Sequence, residues 1–137
     1  MADKLTSERR SENMRRIKSK GMKPEMLVRR LVHGMGYRYR LHRPELPGKP
    51  DLVFPSRRKV IFVHGCFWHG HSDPGCPDRR EPQSNRDYWL PKLARNRQRD
   101  AKHILALEAA GWSVLVIWEC ETRDLATLAA SVRSFLR

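Results

Sequence analysis

The run His64-Gly65-Cys66-Phe67-Trp68-His69-Gly70-His71, continuing to Cys76, puts three histidines and two cysteines within thirteen residues. Cys66, His71, Cys76 and the distant Cys120 could supply a Cys₃His set, the soft tetrahedral arrangement that zinc favours in closed structural sites. Such an ion would pin the loop to the strand that precedes Cys120. The alternative is a buried apolar thiol at Cys120 and loop histidines turned to solvent. The density of ligand types favours zinc. With Cys66 and His71 so engaged, His69 is left as a free imidazole, able near neutral pH to take a proton from an attacking water.

A second chemical signal is Gly48-Lys49-Pro50-Asp51. Pro50 restrains the approach and Asp51 opens a strand, so its carboxylate lies at the strand's end. Alone, such an Asp is a turn or cap residue. The neighbouring strand, however, carries His64 to its own end, two residues before Cys66. A carboxylate beside strand-end groups makes the oxygen-rich pocket that magnesium prefers.

Asp100 shares a helical stripe with Leu93, Ile104 and Leu107, with Asn96 one turn earlier. An acid on an inward face needs a partner, either an arginine or a histidine or bound water that it orients. Glu25 stands in the first turn of its helix, where it serves the helix dipole or the same orienting role. Phe67 and Trp68, with Tyr88 and Trp89 further on, are aromatics beside basic sequence. Rings so placed can wedge between base pairs and unstack them, at least cost where a mismatch has already weakened the stack. Trp112 and Trp118 read instead as core plugs.

These groups need elements to hold them. Residues 7–20 form a weak, very polar helix whose few apolar residues suit an arm awaiting a partner. Pro24 opens a helix over 24–35 with Leu27, Val28, Leu31, Val32 and Met35 as its buried stripe. Strands are expected at 37–42, 51–54 and 59–64, then a loop over 65–85. A long helix over 86–110, kinked or begun near Pro91, leads to a fully buried strand over 114–118 and a closing helix over 122–136. The order predicts an α/β fold, a mixed sheet flanked by helices. The 137 residues fit one domain over 21–137 preceded by an arm over 1–20.

Net charge is +13, concentrated in residues 1–43, with thirteen Lys and Arg against four acids, and in 79–102, with eight against three. Two basic zones around an apolar, histidine-rich centre suit a polyanion crossing a central site. No run approaches the roughly 18 apolar residues of a membrane span. The polar stretch from Ala2 to Arg16 reads as no export signal, so a cytoplasmic location without disulfides is expected.

Taken together, Arg10-Ser11-x-Asn13-Met14-Arg15, Glu25, Leu46-Pro47-Gly48-x-Pro50-Asp51, Val60-Ile61-Phe62-x-His64-Gly65-Cys66-Phe67-Trp68-His69, Asn96-x-x-Arg99-Asp100 and Gly111-Trp112…Trp118-Glu119-Cys120 resemble the Vsr mismatch endonucleases. The resemblance spans nearly the whole chain. It implies a restriction-endonuclease-like fold with a structural zinc site. The activity implied is strand-specific nicking 5′ of the thymine in a T·G mismatch left by deamination of 5-methylcytosine. By the same resemblance Asp51 ligates magnesium together with the backbone carbonyl of Val63. His69 is the general base, and Glu25, His64 and Asp100 support it or the metal's waters. Cys66, His71, Cys76 and Cys120 hold zinc. Phe67, Trp68 and Trp89 form the wedge, and the arm with Met14, Arg15 and Arg16 contacts DNA in the minor groove. The implied partner is mismatched double-stranded DNA, with mismatch-repair proteins as further candidates, for a bacterial, nucleoid-associated monomer.

Two departures stand out. Phe62-Val63-His64 replaces the Glu-x-Lys of ordinary restriction nucleases, which moves base duty to histidine and leaves position 63 only its carbonyl. The gap from His71 to Cys76 is long, so Asp73 and Asp78 are alternative zinc donors. Two other readings remain: a nicking nuclease with relaxed mismatch preference, and a non-catalytic zinc-bearing nucleic-acid-binding module.

Overall fold

Alternating apolar residues on three short strands sort the interior onto the two faces of one sheet. The computed structural model describes residues 23–41, 43–67, 76 and 84–137. The strands are β1 (Leu52–Phe54), β2 (Lys59–His64) and β3 (Ser113–Trp118). β1 pairs antiparallel and β3 parallel with the central β2. Successive side chains leave a strand on opposite faces. Leu52, Phe54, Ile61 and Ile117 therefore share one core with α1 (Pro24–Gly34) and α3 (Leu125–Leu136). Val53, Val60 and Phe62 share the other with Leu107 of α2 (Arg86–Ala109) and with Trp112. This is the expected α/β layering, a mixed sheet with helices against it.

α1 forms as its sequence dictates. Pro24 in its first turn brings a preset φ and no orphan N–H. Leu27, Val28, Leu31 and Val32 then repeat on one face and are buried, each contributing about 1.5–3 kcal/mol. That burial fixes the helix's rotation, and so the direction in which Glu25 projects.

Four expectations need correction. The strand over 37–42 shrinks to one bridge, Arg40 with Val53, whose N–H groups donate reciprocally at 2.8 and 3.0 Å. β1 is only three residues long, so it offers little edge to pair with; His42 lies outside the described residues. β3 is not fully buried: Ile117 alone among its residues is, while Val114, Leu115 and Val116 are only partly covered by the two cores. The closing helix begins at Leu125 rather than 122. A 3₁₀ turn, Glu119–Arg123, precedes it, with Trp118 N–H donating to Glu121 Oε1 at 2.8 Å and the Thr122 hydroxyl to Glu119 O at 2.7 Å. Asp124 caps α3 by accepting from Thr127 N–H at 3.2 Å. Trp118 is no core plug, for it is half-buried with its ring edge-on to His64. Pro91 is accommodated inside α2, which starts five residues ahead of it. The arm, Trp68, His69 and His71 lie outside the described residues.

The turn that leads into β1 is held from across the molecule. Gly48 (φ +75°) and Lys49 (φ +51°) are both left-handed. A Cβ on Gly48 would stand 3.0 Å from His103 Cβ and 3.1 Å from its Nδ1. Only glycine meets both demands at no cost. Gly48→Ala should lower stability by about 1–2 kcal/mol from backbone conformation alone, and by more from the clash. Denaturant unfolding of Gly48→Ala and of Gly48→Ala with His103→Ala isolates the part due to the imidazole ring, which the double variant regains, while the contact with the Cβ at position 103 and the backbone cost remain.

Candidate active site and cysteine cluster

Asp51 stands just before β1, and its Oδ2 accepts the Val63 N–H of β2 at 2.6 Å. A residue in an extended strand turns its N–H and C=O toward the same edge, so the Val63 carbonyl faces the Asp51 side as well. α1 brings Glu25 to the same place, and its carboxyl hydrogen-bonds with that of Asp51. Burial pushes the Asp51 carboxyl up to about 7; the Val63 hydrogen bond opposes this, and Glu25 adds to it. Two carboxyls in contact cannot both ionise easily unless a cation joins them. Both line an open cleft of about 410 Å³ with Arg29, Leu41, Arg43 and Lys49. Arg43 is already ion-paired with Glu45. The oxygen donors at this spot suit a hard divalent cation such as magnesium.

β2 ends in His64, which is buried, its ring 5.5 Å from Phe62 and 5.2 Å from Trp118. Two residues on, Cys66 meets Cys76 and Cys120, all three sulfurs lying within 4.8 Å of one another. None of the three is joined in a disulfide. Burial raises the Cys66 thiol, and it pushes Cys120 up to about 12, with the neighbouring sulfurs adding to the effect. Thiolates are thus expensive here without a cation to share. Tetrahedral zinc with Zn–S near 2.3 Å would set sulfurs roughly 3.8 Å apart, a small contraction of what stands. The donor set fits zinc. Cys76 joins the cluster itself, so neither Asp73 nor Asp78 is needed in its stead. Among the described residues three donors meet, and His71, the expected fourth, lies outside them.

α2 presents a different surface. Phe67 packs edge-on against Trp89 at 5.6 Å, Tyr88 against Trp89 at 5.0 Å, and the Lys92 ammonium lies 5.4 and 5.5 Å from the Tyr88 and Trp89 rings. A groove of about 800 Å³ continues along the helix past Arg95, Asn96, Arg99 and His103. Asn96 is half-buried there and accepts from Arg99 at 3.1 Å; Asp100, also half-buried, does not line the groove.

The structure therefore brings Asp51 together with Glu25, and the three cysteines with one another. Arg29 and the Gly48–His103 contact went unread in the sequence. An acid and a base at i and i+4, Glu25 and Arg29, is the signal that could have raised the first. Nothing in the spacing of Gly48 and His103 could have revealed the second.

Comparison with known proteins decides the lineage. The family model for DNA mismatch endonuclease Vsr matches residues 2–74. The chain belongs to the Vsr family. A type II nicking enzyme of Xanthomonas oryzae, V.XorIIP, is 54% identical over 99% of this chain and 98% of its own length. V.NmeAIP of Neisseria meningitidis, also named a type II nicking enzyme, is 42% identical over 100% of this chain and 96% of its own. The DNA mismatch endonuclease Vsr of Escherichia coli is 40% identical over 90% of this chain and 77% of its own. No helix among the described residues of this Vsr-family chain is long and apolar enough to cross a membrane.

Two measurements follow from the geometry. Cys120→Ser should lower both the zinc content, expected at about one per chain, and the thermal midpoint, read by metal analysis and calorimetry on protein purified without added zinc. For Asp51, a folded pKa near 7 exceeds the unfolded value of about 3.9. The stability it contributes is thus fully present below about pH 4 and lost as pH rises through about 7. With chelator present, the wild-type thermal midpoint should fall relative to Asp51→Asn across that window.

Proposed function

We propose that this chain is a magnesium-dependent DNA mismatch endonuclease that nicks one strand 5′ of the thymine in T·G mismatches, the substrate of very short patch repair. The observation that carries the reading is the contact between Asp51 and Glu25 at the sheet's end, with the Val63 N–H on Asp51. Neither a binding module nor a purely structural fold has use for two carboxyls held together in an open cleft. The E. coli relative's name supports mismatch specificity.

Asp51 and the Val63 carbonyl would hold the magnesium ion. When bound, magnesium offsets negative charge on the scissile phosphate and makes phosphorus the better electrophile. His69 takes the proton of the attacking water, whose oxygen forms the new bond to phosphorus as the bond to the leaving sugar oxygen breaks. Glu25, His64 and Asp100 orient these groups. Cys66, His71, Cys76 and Cys120 hold zinc, which ties the loop carrying His69 to the 3₁₀ turn after β3. The domain over 21–137 has a restriction-endonuclease-like fold, and the arm over 1–20 lies in the minor groove through Met14, Arg15 and Arg16. Phe67, Trp68 and Trp89 unstack the mismatch; the Phe67–Trp89 contact and the adjacent Lys92 support this. The chain acts as a monomer on the bacterial nucleoid.

V.XorIIP and V.NmeAIP are named nicking enzymes rather than mismatch endonucleases, which favours relaxed preference as the second reading. One experiment separates them: single-turnover nicking of matched and T·G duplexes, with magnesium or chelator. The proposal expects cleavage of the T·G duplex alone, and only with magnesium. Equal rates on both duplexes would establish the relaxed nuclease, and no cleavage of either the binding module. Asp51→Asn should abolish nicking while DNA affinity, which comes mainly from Lys and Arg, persists. His69→Ala should lower the rate by about 10²–10⁴.

A further inference from the structure

Arg29 follows Glu25 by one turn of α1, and its Nη2 lies 3.2 Å from Glu25 Oε2. The side chain is only 22% exposed and lines the cleft beside both carboxyls. Its hydrogen bonding is poor for an arginine so enclosed. Among the described residues Nε is buried without a partner, and Nη1 reaches only the Met26 sulfur at 3.7 Å. A guanidinium has five donors in a fixed fork, so this placement is not explained by satisfying them. Attraction to negative charge explains it. Glu25 and Asp51 are in contact, two groups whose like charges repel, and the charge of Arg29 acts on Asp51 as well as on Glu25. Of the other cations lining the cleft, Arg43 is held by Glu45, and Lys49 sits on the turn leading into Asp51.

We propose that Arg29 is a positioning residue that serves Glu25 and Asp51 as a resident counter-ion, and thereby sets how tightly Asp51 holds a divalent cation. This rests on the assignment of Asp51 as a metal ligand. An arriving cation at Asp51 must bear the repulsion of a guanidinium that already offsets the charge of Glu25 and Asp51, so the site binds more weakly than it would beside an unpaired Glu25. An arginine that merely oriented Glu25 would have the opposite effect, since its removal would weaken the site.

The test titrates Mn²⁺ into DNA-free protein and follows the resonance of the free ion by electron paramagnetic resonance. Arg29→Leu should bind Mn²⁺ about fivefold tighter than wild type. Arg29→Lys, which keeps the charge without the fork, should stay within about twofold. Arg29→Gln, neutral and polar, repeats the test should the leucine variant fail to fold. Unchanged or weaker binding in the neutral variants, while Asp51→Asn abolishes wild-type binding, would overturn the inference and leave the metal assignment standing. Equal binding by wild type and Asp51→Asn would instead remove the metal site, and this inference with it.

Discussion

Everything near the site hangs from β2. It is bonded to a strand on each edge and buried from Val60 through Phe62, so it can neither slide nor rotate. A shift of one residue would exchange its two faces and put Ile61 among the partners of Phe62. That fixed strand presents, in order, the Val63 N–H to Asp51, the ring of His64 to Trp118, and Cys66 to the other two thiols. One register therefore sets two sites a few residues apart.

The two sites divide donor chemistry between them. On the Asp51 side the donors are oxygens in an open cleft; at Cys66 they are sulfurs, two of the three buried. Hard and soft cations sort themselves by such differences. The open cleft leaves room for a substrate and for an ion that exchanges. The cysteine cluster has the enclosure of a permanent fixture, and the 3₁₀ turn secured by Glu121 and Thr122 holds Cys120 in place for it.

Much of this was legible in the sequence because it is local or strongly patterned. The α1 stripe follows from periodicity, β1 and β2 from their β-branched and aromatic runs with a turn between them, and Cys76 fell into place despite its long gap. What escaped depends on distant partners. The sequence at 37–42 does alternate, with Tyr37 and Tyr39 inward and Arg38 outward, yet a strand needs an edge to pair with, and β1 supplies one residue of it. The apolar run of β3 suggested full burial, but a run cannot say how far the helices on either face will cover its strand. Residues 122–124 have ordinary helical propensity, and it was Asp124, with its side chain on Thr127, that moved the start of α3. Of the site, Asp51 and the cysteines could be read from residue types. The meeting of Glu25 with Asp51 could not, because α1 reaches β1 only through tertiary packing.

The parallel pairing of β2 with β3 also shapes how the molecule reaches its native state. Lys59 pairs with Ser113, so the first contact of that ladder closes a chain segment containing all of α2. The β1–β2 hairpin and the helices need only near neighbours, whereas closing a long loop carries an entropic penalty that its contacts repay late. β3 is therefore the last strand to dock. Until it does, one edge of β2, whose residues Val60 through Phe62 are buried in the finished sheet, stands open to any other strand, including its counterpart in a second nascent molecule. Slow synthesis and low concentration should favour the native route for this reason, and the same closure that docks β3 on β2 brings Cys120 to Cys66.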